Sequence, residues 1–135
     1  MQKTNVLLLL TPKTELSCLK SNMNARQALE KMQAHSYMAI PVISEDGEYA
    51  GTLTEGDLLR KLVDDDGDID ALEEYAVNEI VRKDYTPAVK VDAKIDVLAK
   101  MITEQNFVPV VDDRNILMGI VTRKRVLQEL LDNEA

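Results

Sequence analysis

The sequence predicts a mixed α+β fold built from two copies of one β-α-β-β-α unit. Three observations carry this. First, the stretch Ala39 to Val63, AIPVISEDGEYAGTLTEGDLLRKLV, returns as Phe107 to Leu131, FVPVVDDRNILMGIVTRKRVLQELL. Pro41 and Pro109, Gly51 and Gly119, and Thr54 and Thr122 all keep an offset of 68 residues, which marks an internal duplication. Second, each copy sets an apolar run, a turn signal and another apolar run in sequence, the pattern of a hairpin. Third, each hairpin leads into an amphipathic helix, with Leu58, Leu59, Leu62 and Val63 matched by Val126, Leu127, Leu130 and Leu131.

The elements follow in order. Asn5 to Leu10 reads as one helical turn or a strand, ended by Thr11-Pro12. Glu15 to Leu19 is a short strand candidate. Asn22 or Asn24 offers an N-cap for a helix whose face is Ala25, Ala28, Leu29 and Met32, ending near Ser36. Ala39 to Ile43 is so apolar that it should be buried on both faces. Asp46-Gly47 turns the chain, because glycine accepts positive φ, and Tyr49 to Thr54 returns. A helix from Glu55 to Val63 closes the first unit. An acidic linker from Asp64 to Asp70 precedes a connecting helix marked by Ile69, Leu72, Ala76 and Ile80. The second unit comprises a strand at Ala88 to Val91, a helix capped by Asp92 with Ile95, Leu98, Ala99 and Ile102 inward, strands at Phe107 to Val111 and Leu117 to Thr122 turned at Arg114-Asn115, and a final helix from Lys124 to Leu131. The first helices align at an offset of 69, so one residue is lost in the second helix-to-strand loop. The organisation is residues 1–63 as the first repeat with its lead-in, 64–84 as linker and connecting helix, and 85–135 as the second repeat.

Composition narrows the function. Repeats of roughly 60 residues are marginal alone, so the 135-residue chain should share one core. The net charge of −8 argues against nucleic acid, whose phosphates are bound by Lys and Arg. A lone Cys18 cannot form a disulfide within the chain, and one Cys with one His excludes a zinc cluster of the usual spacing. The apolar start, Val6 to Leu10, is too short for a signal peptide or a membrane span. The protein is expected in the cytoplasm. Asp64, Asp66, Gly67, Ile69 and Glu73 match positions of a calcium loop, but its first position would be Leu62, which cannot bind a cation. No metal site is expected.

The motifs resemble a known family. Ile40-Pro-Val-Ile and Val108-Pro-Val-Val precede the hairpins, and Gly51-Thr-Leu-Thr-Glu-Gly-Asp57 is similar to a Gly-x-x-Ser/Thr-x-x-Asp ligand motif. With Thr11-Pro-Lys and Thr86-Pro before the repeats, these resemble a tandem pair of CBS domains, a Bateman module, over almost the whole chain. The resemblance implies two repeats packed about a pseudo-twofold axis, with clefts between them that bind adenosyl ligands such as AMP, ADP, ATP or S-adenosylmethionine. It also implies a homodimer paired through helices and regulation of a partner protein.

Thr54 and Asp57 have two compatible roles. Their spacing suits a capping box, in which Thr54 accepts from the N–H three residues on and Asp57 reaches back. The resemblance makes Asp57 the acceptor for both ribose hydroxyls, with Thr54 beside a ribose or phosphate oxygen. It implies that the Asp57 cleft also includes Thr52, the backbone around Met38 and Ala39, and Val81, Arg82 and Thr86. Arg82 or Lys83 would meet a phosphate, or serve only as linker charge. The second cleft would use Thr11, Leu16, Val108, Ile120 and Thr122. There, Thr122-Arg-Lys-Arg125 puts Arg where Asp stood, and Arg cannot accept from a diol. That cleft is empty, or takes an anion through Arg123, Lys124 and Arg125, or those residues are solvated first-turn side chains. His35 suits a helix C-terminus and Cys18 a buried strand position.

No phosphate loop, metal cluster or catalytic triad is visible, since the Gly51 segment lacks the Gly-Lys-Ser/Thr of a P-loop. The expected function is therefore non-enzymatic: a regulatory module for an adenosine-containing ligand. The alternative is a ligand-free dimeric scaffold in which Thr54 and Asp57 only cap a helix.

Overall fold

The computed structural model describes residues 5–35, 38–82 and 85–133. These fall into two compact units, Ser17–Tyr85, and Met1–Leu16 with Thr86–Ala135. Each unit has its own three- or four-stranded sheet, helices and apolar core.

In the unit Ser17–Tyr85, β2 (Leu19–Lys20) runs parallel to β3 (Ala39–Ile43), which pairs antiparallel with β4 (Tyr49–Thr54). All of β3 except Ala39 is buried, as its composition predicts. Proline in a central strand usually forfeits a ladder bond. Pro41 avoids this because β2 reaches only Val42 and Ile43. Pro109 repeats the arrangement, since its neighbour reaches only Val110 and Val111. Helices α2 (Ala25–His35) and α3 (Glu55–Asp64) pack on the sheet through Ala28, Met32 and Leu58. Asn24 and Gln27 cap α2 reciprocally: the Gln27 N–H donates to Asn24 Oδ1 at 2.9 Å and the Asn24 N–H to Gln27 Oε1 at 3.2 Å. Exposed His35 ends α2.

The chain leaves α3 through Asp66 and Gly67, both at positive φ (58° and 79°), with the Gly67 N–H on the Leu62 carbonyl and the Asp66 N–H on that of Val63. This is a Schellman ending. The expected single connecting helix is instead a 3-10 helix, Ile69–Glu74, and a four-residue α4, Val77–Ile80. The break falls where the Ala25 N–H bonds Tyr75 O and the Val77 N–H bonds Met23 O, pinning the backbone between the pieces to the start of α2. Leu72 and Val77 are fully buried. In the acidic stretch, Asp68 caps the 3-10 helix and Asp70 pairs with Arg26 at 2.8 Å.

The other unit uses the same plan. Its sheet has the order β1-β7-β6-β5, from β1 (Thr11–Pro12), β7 (Leu117–Thr122), β6 (Phe107–Val111) and β5 (Val89–Lys90). Helices α5 (Ile95–Met101) and α6 (Arg123–Asp132) cover it, and the turn α1 (Val6–Leu9) adds Val6 and Leu9 to the core. β1 runs antiparallel to β7, with Thr11 opposite Ile120 and Pro12 opposite Gly119.

The two hairpin turns show one problem solved with different residues. Ser44 Oγ accepts from the N–H groups of Asp46 and Glu48, and Asp112 Oδ1 from those of Arg114 and Ile116. The Ile116 N–H, foremost, holds the Asp112 carboxyl below its ordinary pKa. The left-handed position is Gly47 (φ 89°) in one copy and Asn115 (φ 66°) in the other.

Other expectations need correction. Glu15 to Leu19 is not a strand: a 3-10 helix, Lys13–Glu15, comes first, and only Leu19–Lys20 pairs. Half-buried Cys18 precedes β2, and its carbonyl accepts from Lys31 Nζ at 2.9 Å. Asp92 does not cap α5, whose N-cap is Lys94 without a side-chain bond. Only one edge of each expected apolar stripe faces inward: Leu58 and Val126 are buried, while Leu59, Val63, Leu127 and Leu131 are 62%, 68%, 51% and 64% exposed.

Candidate functional site

The end of β4 and the start of α3 build the site. Thr54 closes β4 in extended geometry and is the N-cap of α3. The Asp57 N–H donates to Thr54 Oγ1 at 3.2 Å, and the Thr54 N–H to Asp57 Oδ2 at 2.9 Å, so the capping box is formed. The box turns the carboxylate inward, leaving its side chain 1% exposed.

A buried carboxylate is costly unless paired. Both Arg60 Nη2 and Arg82 Nε donate to Asp57 Oδ1, the latter at 2.7 Å. Arg60 sits one turn along α3. Arg82 arrives from beyond α4, where its backbone bridges Thr52 on β4. Its guanidinium also lies over the Tyr85 ring, 3.6 Å from the centroid. The result is a charge cluster: a buried anion, two half-exposed cations and an exposed aromatic ring.

Thr52, beside this group, is buried, and its hydroxyl shares a 2.7 Å hydrogen bond with Tyr49 OH. Burial pushes the Tyr49 phenol up to about 12, against a smaller lowering by the Thr52 hydrogen bond. In the unfolded chain the phenol ionises near its ordinary value of 10.0, so folding stability should fall between that pH and about 12. Tyr49→Phe is expected to flatten that alkaline loss, read as urea midpoints from pH 9 to 12. An unchanged slope in the variant would place the titration elsewhere.

The remaining sequence-predicted residues are distributed as follows. Ala39 is opposite Thr54 in the ladder, and the Met38 carbonyl accepts from the Glu55 N–H at 3.0 Å, so both lie against the start of α3. Met38 is 66% exposed. Val81 is in the core of the same unit. Lys83 lies outside the described residues. Thr86 is buried in the other unit. In that unit Thr11 is opposite Ile120, Val108 is opposite Val121 inside the sheet, and half-buried Leu16 ends the 3-10 turn after β1.

Thr122 caps α6, accepting from the Arg125 N–H at 3.2 Å, but Arg125 brings no carboxylate back. Its guanidinium approaches Glu129 at 3.9 Å. Arg123 donates to the Ile102 carbonyl at 2.8 Å and the Gln105 carbonyl at 3.2 Å, completing the end of the α5 segment. That accounts for a cation at a helix N-terminus without an anion. Among the described residues, no group of three or more His, Cys, Asp or Glu is placed to hold a metal, and no helix is long and apolar enough to cross a membrane.

Sequence reasoning missed Arg60 and Tyr85. The i, i+3 spacing of Asp57 and Arg60 was the available signal for the first. Nothing local signals the second.

The CBS domain model matches residues 9–64 and again 77–132. The chain therefore belongs to the CBS-domain family, as a tandem pair. An uncharacterised protein of Methanopyrus kandleri is 29% identical over 104 residues, covering 73% of this chain and 49% of that one. A homoserine O-acetyltransferase of Methanocorpusculum labreanum is 29% identical over 117 residues, covering 84% of this chain and 22% of that one. The chain thus spans half or less of the length of these curated relatives. Among solved structures, Listeria monocytogenes CbpB in complex with c-di-AMP superposes with a TM-score of 0.83 at 21% identity, covering 92% of each chain. CBSX2 of Arabidopsis thaliana in complex with AMP superposes with a TM-score of 0.78 at 23% identity, covering 97% of this chain and 98% of that one. At these identities the likeness is one of fold.

Proposed function

We propose that this chain is a regulatory module that binds an adenosine-containing ligand, with Asp57 accepting hydrogen bonds from the ribose hydroxyls, and that it acts on a partner protein rather than by catalysis. One observation carries the reading: the carboxylate at the family's motif position is 1% exposed yet held partly by half-exposed guanidiniums. Such donors can be exchanged for those of a ligand. The fold neighbours captured with c-di-AMP and AMP support an adenosine-containing ligand, and the compounds with a free ribose diol are AMP, ADP, ATP and S-adenosylmethionine. A lone cysteine and a net charge of −8 support a reducing, cytoplasmic setting away from nucleic acid. The test is a thermal-shift series with these ligands on the wild type and on Asp57→Asn. Equal responses in both would remove Asp57 from the site. The rival reading, a ligand-free scaffold, treats the same ion pairs as purely structural and expects no response at all.

The module is proposed to act as a homodimer. Leu59 and Val63 on α3 and Leu127 and Leu131 on α6 form the same exposed apolar stripe twice, and next to the first lies a groove of about 550 Å³ lined by Leu29, Met32, Met38 and Leu62. Paired apolar stripes of this kind suit a second copy of the chain. Sedimentation at micromolar concentration should give twice the chain mass. The double variant Leu59→Glu, Val63→Glu should give the single mass, and a wild type that sediments as one chain would refute the dimer.

A further inference from the structure

A carboxylate offers about four acceptor positions. At Asp57 three donors already occupy it: Arg60 and Arg82 on Oδ1, and the Thr54 N–H on Oδ2. A vicinal diol brings two O–H donors and needs two positions. At least one guanidinium must therefore leave Oδ1 before a ribose can be held by both hydroxyls.

The two arginines differ in what they can do next. Arg60 is rooted in α3, one turn from the carboxylate, with its side chain 57% exposed. Arg82 is anchored by its backbone opposite Thr52 and lies over the Tyr85 ring, with its side chain 40% exposed. Its guanidinium lies between a buried anion and the Tyr85 ring, with its backbone fixed beside Thr52, so an anion bound next to Thr52 would be within the side chain's reach.

On the reading of Asp57 as the ribose acceptor, we propose that Arg82 sets ligand specificity by competing with the ribose for Asp57. It yields to a ligand whose phosphate takes over its charge. A phosphate offers the planar guanidinium a bidentate anionic partner in exchange for the carboxylate. A neutral nucleoside offers none, so its diol must displace a guanidinium from Asp57 without replacement. S-adenosylmethionine is worse placed than AMP, because its single carboxylate is outweighed by an ammonium and a sulfonium, which bring net positive charge near two arginines. The site therefore selects phosphorylated adenosine compounds over both.

Calorimetric titration of the full chain with AMP, adenosine and S-adenosylmethionine tests this. The wild type should prefer AMP over adenosine by about 100-fold, the equivalent of one or two charge-assisted hydrogen bonds. In Arg82→Gln the carboxylate is freed and the phosphate partner lost. Adenosine should bind about 10-fold tighter and AMP about 10-fold weaker, collapsing the preference to near unity. Arg82→Lys, which keeps the charge but not the fork, serves if Arg82→Gln melts below the assay temperature, and its preference should fall between the two. An AMP-to-adenosine ratio unchanged within threefold, with binding still abolished in Asp57→Asn, overturns the role of Arg82 while leaving the ribose site intact. Wild-type binding that survives Asp57→Asn, or no binding of any ligand to any variant, overturns the ribose site and this inference with it.

Discussion

Gly119→Ala is expected to destabilise the protein by about 3 kcal/mol and to lower its Tm by roughly 10 °C. A Cβ at this position would lie 2.2 Å from the Thr11 carbonyl oxygen and 3.0 Å from both Leu10 Cγ and Pro12 Cα. The two nearest contacts differ in kind. Leu10 could rotate away, but the Thr11 carbonyl is backbone, held in register with Ile120. Relief requires β1 to move off β7. That movement would loosen α1, whose Val6 and Leu9 are 1% and 2% exposed in the core of this unit. The penalty thus combines overpacking with partial loss of buried apolar area. Urea melts of the two proteins measure it directly, and a difference under about 0.5 kcal/mol would mean that β1 does not approach β7 this closely.

The duplicated glycines show what the sequence could and could not say. Gly51 and Gly119 keep the 68-residue offset, and both are buried. Yet Gly51 adopts a positive φ of 131°, whereas Gly119 makes room for another strand. The repeat was legible, but the separate physical reason for each residue was not. The long apolar strands were equally legible, because a run such as AIPVI bounded by a turn signal has few other places to go. Less so were the segments ahead of each repeat. Their pieces are two to six residues long and take their form from tertiary bonds, such as those from Ala25 and Val77, rather than from any periodicity of their own. The helix stripes misled for a related reason. Leu58, Leu59, Leu62 and Val63 cover a wide arc, and the first unit can bury only one edge of it. The other edge, Leu59 and Val63, stays exposed.

The candidate site follows the same division. Thr54 and Asp57 are three residues apart, so their capping box was readable from spacing. The bond from Arg82 to Asp57 spans 25 residues of sequence and depends on α4 folding back beside β4. Local spacing carries no trace of it. That unreadable contact changes the meaning of the readable one, because it turns a cap into a buried anion paired with two half-exposed guanidiniums.

Asp57→Asn should therefore abolish most of the ligand response while leaving the fold intact. A ligand at 100 times its dissociation constant stabilises the wild type by about 2.7 kcal/mol, or roughly 10 °C in Tm. Asparagine matches the volume of aspartate, and its carbonyl oxygen can still accept from the Thr54 N–H. It loses the charge, so bonds to the ribose hydroxyls weaken by about 2–3 kcal/mol in total, close to 100-fold in affinity. At the same ligand concentration the site is then half filled, and the stabilisation drops to about 0.4 kcal/mol. Without ligand the variant should be only about 1–2 kcal/mol less stable than the wild type. The arginines it strands are 57% and 40% exposed, so water takes up their charge, and the buried carboxylate's own desolvation cost disappears with it. The two readouts separate the roles of the residue. A full ligand shift in Asp57→Asn would leave Asp57 as a helix cap and nothing more. An unliganded loss well above 3 kcal/mol would show that the ion pairs chiefly hold the fold together, with their exchange for a ligand correspondingly harder.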